Sequence, residues 1–181
     1  MMRQFLQCHS TTPCTFVQTL FCDVLILENG DLQLSYCLEG DLQNLLIPES
    51  APSEQTDKLW EHSCFEAFIS IEGQSAYYEY NFSSSSQWAA YAFSDYREIS
   101  AWNITHPLQI HCEQQGQKLT MQVTLAKTIL PTNPVNKAFQ IGLSAVVETN
   151  KGDLSYWALK HVSNNPDFHH RDSFIHQLKI S

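Results

Sequence analysis

The sequence predicts an all-β fold, an antiparallel, jelly-roll-like β-sandwich of about ten strands with at most a short helical turn. Three observations lead to this prediction. Short segments rich in β-branched and aromatic residues follow one another, glycines stand between several of them, and apolar residues alternate with polar ones. The chain has 181 residues, of which 43% are hydrophobic, so it can bury a substantial core. We therefore expect a single domain spanning residues 1–181.

The elements follow from composition and from turn residues. The segments predicted as strands are, in chain order, 16–27, 32–39, 42–47, 64–71, 77–82, 88–94, 108–113, 118–125, 139–148, 154–161 and 174–180. Gly30, Gly73 and Gly116 each stand where a tight turn between two strands needs a positive φ. One helical turn is predicted near 127–130, before Pro131 ends it.

Alternation along three segments separates a core face from a polar face. In 64–71, 77–82 and 139–148 every second residue is apolar, and neighbouring side chains of a strand point to opposite sides. The polar residues placed opposite the apolar row include Glu66, Glu79, Asn81, Gln140, Ser144 and Glu148. If the three strands are neighbours, one sheet carries an outer surface of acidic and amide side chains interspersed with aromatics.

The residues from Trp60 to Phe68, with 77–83 and 87–91, form the densest group of chemistry-bearing side chains. Carboxylates accept hydrogen bonds from ring hydroxyls, while aromatic faces cover the apolar C–H surface of a sugar. The pattern therefore predicts a carbohydrate site. The alternative interpretation is structural, with the aromatics in the core and the glutamates on a solvated strand face.

Two other functions use the same residues. Glu66 and Glu79 together resemble the pair of carboxyl groups that glycosidases place across a bond. No nucleophile elbow, nucleotide loop or Cys/His motif accompanies them, so we expect no catalytic residues. A face rich in aromatic residues and poor in charge is also suited to docking a partner protein.

The histidines near the C-terminus raise the question of a metal. His161, Asp167, His169, His170 and Asp172 are of ligating types, but they form no His-x-His or HExxH pattern. We expect these histidines to bond loop carbonyls, and we expect neither a metal nor another cofactor. A haem ligated by histidine and Met121 is a further alternative.

Composition excludes other partners. The formal net charge of −9 is the opposite of what a phosphate backbone attracts, so nucleic acid is not expected. No apolar run is long enough for a signal peptide or a membrane span, which predicts a cytoplasmic protein with no membrane contact. The six cysteines form no CxxC pair, and we expect them to be free thiols.

The order of motifs resembles the DOMON-like group of small bacterial proteins. These motifs are W-x-x-x-CFEAF (60–68), YYEYNFS (77–83), QWAAYAF-x-x-YR (87–97), GLSAVVE (142–148), SYWAL (155–159) and PDFHH-x-x-SF (166–174). The similarity runs from about Leu32 to the end of the chain. It implies the sandwich of the family-nine carbohydrate-binding modules, and it implies binding of a ligand rather than catalysis.

The resemblance also implies a set of ligand-binding residues. In sugar-binding relatives, aromatic and acidic or carboxamide side chains of one sheet and its edge loops grip the ligand. The matching positions here are Trp60, Glu66, Glu79, Asn81, Trp88, Tyr96, Arg97, Trp157 and His169. We expect Glu66, Glu79 and Asn81 to bond hydroxyl groups and Trp88 or Trp157 to stack on the sugar. In the cytoplasm such a protein would meet sugar phosphates or cell-wall precursors.

Overall fold

The computed structural model describes residues 2–104, 107–133 and 137–179. Within them the chain forms two antiparallel sheets, and its helical structure is confined to four 3-10 turns. Buried side chains from both sheets form one apolar core between them. The all-β sandwich predicted from the sequence is confirmed.

Thirteen strands are present in the described ranges. They are β1 (Met2–Phe5), β2 (Gln7–Cys8), β3 (Val17–Ile26), β4 (Leu32–Gly40), β5 (Cys64–Ile71), β6 (Tyr77–Phe82), β7 (Trp88–Asp95), β8 (Glu98–Ser100), β9 (Gln109–Gln115), β10 (Lys118–Leu125), β11 (Phe139–Glu148), β12 (Leu154–Ala158) and β13 (His176–Leu178). One sheet has the order β1-β3-β4-β10-β9. The other has the order β2-β12-β11-β5-β6-β7-β8, with β13 also paired to β11.

Strand β11 carries two partners on the edge opposite β5. Residues 144–148 of β11 pair with β12, and residues 139–141 pair with β13. The segment 159–175, which joins these two short strands, is therefore anchored at both ends to the same strand. This anchoring holds the segment over the outer face of the eight-stranded sheet.

Several predicted boundaries are corrected by the structure. The segment 42–47 is not a strand; it is a 3-10 turn at Leu42–Asn44 followed by a single bridge from Leu45 to Thr149. Strands β1, β2 and β8 were not predicted, because each has at most four residues and lacks a clear alternation. The helical turn is present at Lys127–Ile129. Residue 180 of the last predicted strand lies outside the described residues.

The core face is the one that alternation predicted. Phe65, Ala67, Ile69 and Ile71 of β5 are all buried in the core between the sheets, and so are the alternate apolar residues of β11. Strands β11, β5 and β6 are adjacent, which places their polar faces side by side on the outside of the sheet. From the core side, the buried Tyr36 hydroxyl of β4 donates a 2.7 Å hydrogen bond to the Glu66 carbonyl, which fixes β5 against the other sheet.

The cysteines and Met121 occupy structural positions. All six cysteines are unpaired, and Cys22, Cys37 and Cys64 are buried. Met121 lies within the core between the sheets. In the described ranges, no helix has the length and apolarity that a bilayer crossing requires.

Candidate functional site

A pocket of about 360 Å³ opens on the outer face of the eight-stranded sheet. That volume lies in the range of about 300–1,000 Å³ usual for small-molecule sites. The residues that line it are Trp60, Glu66, Glu79, Tyr91, Phe93, Arg97, Ile99, Val146, Tyr156, Pro166, Phe168 and His169. The strands β5, β6, β7, β11 and β12 supply its floor, while the turn at Leu59–Glu61, the β7–β8 hairpin and the loop after β12 supply its walls.

Two glutamates lie at the floor because adjacent strands hold them in register. Glu66 of β5 pairs with Asn81 of β6, and Phe68 of β5 pairs with Glu79. The two glutamates are therefore diagonal neighbours on one face, a spacing at which long side chains interact. Both are buried, with Glu66 only 2% exposed and Glu79 only 5% exposed.

The surroundings of the two carboxyl groups favour their protonated forms. Ser144 Oγ lies 3.3 Å from Glu66 Oε2, and Asn81 Nδ2 donates a 2.8 Å bond to Glu79 Oε1. Burial, reinforced by the nearby Glu79 charge, raises the pKa of Glu66 well above its usual value. Burial also raises the pKa of Glu79, to about 7, against the opposing effects of Asn81 and Arg97. The floor therefore carries less negative charge near neutral pH than two ordinary glutamates would.

His169 lies beside Glu79 as a neutral ring. Its burial, together with the nearby charge of Arg97, lowers the pKa of His169 to about 4. The Tyr77 hydroxyl accepts a 3.0 Å bond from the Arg97 amide, so its own proton is free for the 2.8 Å bond to His169 Nδ1. Nε2 is then the protonated nitrogen, and it lies 3.6 Å from Glu79 Oε2. This separation is a polar contact rather than an ion pair, because the ring is uncharged at neutral pH.

Arg97 is held in a separate polar cluster at the rim. It occupies the β7–β8 turn with a positive φ of 56°, an uncommon conformation for a residue with a side chain. Its Nη2 lies 3.0 Å from Asp167 Oδ1, and the Tyr96 hydroxyl donates a 2.9 Å bond to Asp167 Oδ2. Burial opposes the effect, but hydrogen bonds from Tyr96 and Arg97 lower the pKa of Asp167. The ion-pair partner of Arg97 is thus a carboxylate outside the floor.

Aromatic rings form much of the remaining wall. Trp60 is 39% exposed, and its ring meets that of Tyr91 edge-on at 5.8 Å between centroids. The Tyr91 hydroxyl donates a 2.9 Å bond to Asp57, and burial followed by this bond raises the pKa of Tyr91. Tyr156 and Phe168 face the pocket on another side, with ring centroids 6.0 Å apart. An apolar sugar face or a cation could contact these rings.

A satellite aromatic cluster covers the sheet beside the pocket. Phe68, Tyr77, Phe93 and Phe174 pack together there, and the Tyr77 and Phe93 rings stack at 4.7 Å with 8° between their planes. A Cβ added to Gly142 would lie 2.6 Å from the Phe174 ring, so only glycine leaves room for this cluster on β11. This cluster therefore covers the part of the predicted polar face that lies beside the pocket.

The structure brings five of the nine predicted site residues together in this pocket. These are Trp60, Glu66, Glu79, Arg97 and His169. Asn81 and Tyr96 adjoin it, since Asn81 bonds Glu79 and Tyr96 bonds Asp167. Trp88 and Trp157 lie elsewhere, buried in the core between the sheets at 4% and 7% exposure. Their ring faces are therefore not available to stack on a ligand in this pocket.

Sequence reasoning missed several lining residues. They are Tyr91, Phe93, Ile99, Val146, Tyr156, Pro166 and Phe168. The same alternation explains why Tyr91 and Tyr156 face the pocket. Trp88 pairs with Phe82 and Trp157 pairs with Ala145, and both partners lie in the core. Tyr91 and Tyr156 are an odd number of positions from these tryptophans, so they point to the opposite face. The resemblance to the DOMON-like group implied the two tryptophans, whereas strand register decides which ring faces outward.

The C-terminal histidines have protein partners. His161 Nε2 lies 2.8 Å from the Gln7 carbonyl, and His170 Nδ1 accepts a bond from the Asp172 amide. No group of three or more ligating side chains suited to a metal occurs in residues 2–104, 107–133 and 137–179.

Comparison with known proteins shows a likeness at the level of the fold. No family model matches the chain, and no curated protein matches it. The fold is similar to that of a solved Bacteroides uniformis structure described as a "putative carbohydrate-binding protein", with a TM-score of 0.73. The two chains are 13% identical, over 97% of this chain and 84% of the other. Identity this low establishes a shared fold, and membership in the DOMON-like group stays a prediction.

Proposed function

We propose that this protein binds a small carbohydrate in the pocket over β5, β6 and β7, without transforming it, as a DOMON-like module. One observation carries the proposal. Two buried carboxyl groups with raised pKa values and several aromatic rings line the same cavity of about 360 Å³. A protonated carboxyl both donates and accepts a hydrogen bond, which matches the dual character of sugar hydroxyls.

The division of roles follows from the geometry. Glu66 and Glu79 bond ring hydroxyls, and His169 adds an N–H donor beside Glu79. Trp60, the most exposed ring of the wall, covers an apolar sugar face. Asn81 acts indirectly, because its amide positions the Glu79 carboxyl. The fold shared with the Bacteroides protein supports the same ligand class.

The electrostatics of the floor disfavour phosphorylated sugars. Two buried carboxyl groups face the cavity, and Arg97, the one arginine or lysine among its described lining residues, is paired with Asp167. A phosphate would meet carboxyls without a free cation to offset its charge. We therefore favour an unphosphorylated ligand over a sugar phosphate.

Docking of a partner protein is the alternative for this face. Trp60, Tyr96 and Ile99 are exposed around the rim, which a partner could cover. The concave pocket between them favours a small ligand, since small-molecule sites are concave clefts of this volume.

Hydrolysis of a glycoside is a second candidate function, favoured by one observation. Glu66 and Glu79 face the same cavity from adjacent strands, and burial raises the pKa of both, as in the carboxyl pairs that glycosidases place across a bond. Chromogenic glycosides of several linkages would test it. Turnover that disappears in Glu66→Gln would establish hydrolysis, and no turnover with any linkage would exclude it for those substrates.

The test of binding is calorimetric titration with a panel of mono- and disaccharides. We expect Trp60→Ala to weaken binding at least about ten-fold, equivalent to 1.4 kcal/mol. The matched control is Ile175→Ala, which removes a comparably exposed apolar side chain away from the pocket. Failure of every sugar to bind, or equal affinity in both variants, would contradict the proposal.

A further inference from the structure

The two floor carboxyls have no cationic partner among the described residues. Glu66 contacts Ser144 Oγ, and Glu79 contacts Asn81 Nδ2 and the neutral ring of His169. Ionised carboxylates removed from water without a compensating cation are costly, and both groups therefore favour their protonated forms. A cation supplied from outside the protein would relieve that cost.

The other charged groups near the pocket do not supply this cation. Arg97 lines the rim and its charge acts on Glu79 from a distance, but its guanidinium is paired with Asp167 at 3.0 Å and, among the described residues, forms no ion pair with a floor carboxyl. Asp57 lies beyond Tyr91 and accepts that hydroxyl, which adds further negative charge on the same side. The surroundings of the cavity are therefore acidic once the floor ionises.

The walls complete a surface suited to an ammonium group. Trp60, Tyr91, Tyr156 and Phe168 all line the cavity. The faces of such rings attract ammonium ions, and the attraction grows when water is excluded. Aromatic walls over an acidic floor thus select for positive charge.

We propose that the ligand is an amino sugar, whose protonated amine is received by Glu66 and Glu79 inside the aromatic walls. This inference rests on the proposed carbohydrate function and narrows it to sugars with a free amine. The amine binds the carboxylate forms, so its arrival expels protons from the floor, whereas a neutral sugar leaves those protons in place.

Three matched sets of sugars test the inference by calorimetry at pH 6. The sets are glucosamine, galactosamine and mannosamine, each with its N-acetyl derivative and its parent hexose. We expect one free amino sugar to bind at least ten-fold more tightly than both neutral counterparts. Titrations in two buffers of different ionisation enthalpy should show release of about one proton per bound amino sugar.

The variant Glu79→Gln separates charge from shape. The glutamine retains an oxygen that can accept from Asn81 Nδ2, so the local hydrogen bond survives while the ionisable group is lost. We expect the preference for the amino sugar to fall below three-fold and proton release to decrease. The wild-type proton measurement stands by itself if this variant does not fold.

The outcomes separate the two proposals. Equal or tighter binding of an N-acetyl or parent sugar without proton release would overturn the amine inference and leave carbohydrate binding in place. Absence of binding by all nine sugars, and by the wider panel of mono- and disaccharides, would overturn both.

Discussion

The Tyr77 hydroxyl lies 2.8 Å from His169 Nδ1 and joins strand β6 to a loop 92 residues further along the chain. The same hydroxyl accepts the Arg97 amide proton from the β7–β8 turn. One phenol thus ties the floor of the pocket to two of its walls and determines which nitrogen of His169 faces Glu79.

Tyr77→Phe tests this connection. The substitution removes one acceptor and one donor from partly buried partners, which should lower the free energy of unfolding by about 1–3 kcal/mol. Urea denaturation measures the change, and sugar affinity should fall with it because His169 loses its orientation. Tyr78→Phe is the matched control, since no hydrogen bond to the Tyr78 hydroxyl is present in the described part of the chain. Equal effects of the two variants would contradict this role for Tyr77.

The raised pKa of Glu79 predicts a pH dependence of stability. From an ordinary value of 4.5 the pKa rises to about 7 in the folded protein, so the folded state binds this proton more tightly than the unfolded chain. The Glu79 contribution therefore destabilises the protein progressively as pH rises from about 4.5 to 7, by up to about 3 kcal/mol. The free energy of unfolding of Glu79→Gln minus that of the wild type should grow over this window. A difference that stays flat from pH 4.5 to 8 would refute the prediction.

The lowered pKa of His169 predicts a change of stability with pH in the opposite direction. Its pKa is lowered to about 4 in the folded protein from 6.5, so the unfolded chain takes up this proton first on acidification. The wild type should therefore lose stability through His169 as pH falls from about 6.5 toward 4. The His169→Gln variant should lack this part of the loss of stability at low pH. Thermal melts of the two proteins, measured across the window, check the difference. Parallel profiles for the two proteins would show that the histidine is not buried in its neutral form.

Truncation of two tryptophans should change the stability of the fold to very different extents. Trp88→Ala removes a ring buried in the core at 4% exposure and should destabilise the fold by about 3–5 kcal/mol. Trp60→Ala removes a half-exposed ring at the rim and should change stability by less than about 1 kcal/mol. Chemical denaturation of both variants checks the contrast. A large loss of stability in Trp60→Ala would indicate that this ring supports the fold and not the ligand.

The close approach of Gly142 to Phe174 predicts that strand β11 and the satellite aromatic cluster stabilise each other. A methyl group there meets the Phe174 ring at 2.6 Å, so Gly142→Ala should destabilise by about 1–3 kcal/mol. Displacement of Phe174 should also disturb Phe68, whose ring packs against both Phe174 and His169. In a Phe174→Leu background the same change should be milder, because a smaller side chain can move aside. Equal costs in both backgrounds would show that the two positions are independent.

Strand alternation was sufficient to predict the floor of the pocket, but not its walls. Glu66 and Glu79 were predicted to face outward because each lies between two members of a period-two apolar row, and the sheet places their strands side by side. Trp88 and Trp157 were placed in the site by the resemblance to the DOMON-like group, yet strand register turns both rings into the core. Phe168 and Pro166 lie on a loop without periodicity, so their place over the sheet depends on β12 and β13 sharing one strand. That arrangement follows from pairings distant in sequence, which local patterns do not encode.

The double pairing of β11 has a consequence for the order of folding. The floor strands β5, β6 and β7 are joined by short turns and can form early, from contacts local in sequence. The loop bearing Phe168 and His169 must wait until β13 reaches β11, which closes the segment from residue 139 to residue 178. During synthesis on the ribosome, we therefore expect Glu66 and Glu79 to remain hydrated and ionised until that closure. The proton affinity of the pocket would then be acquired in the last step of folding.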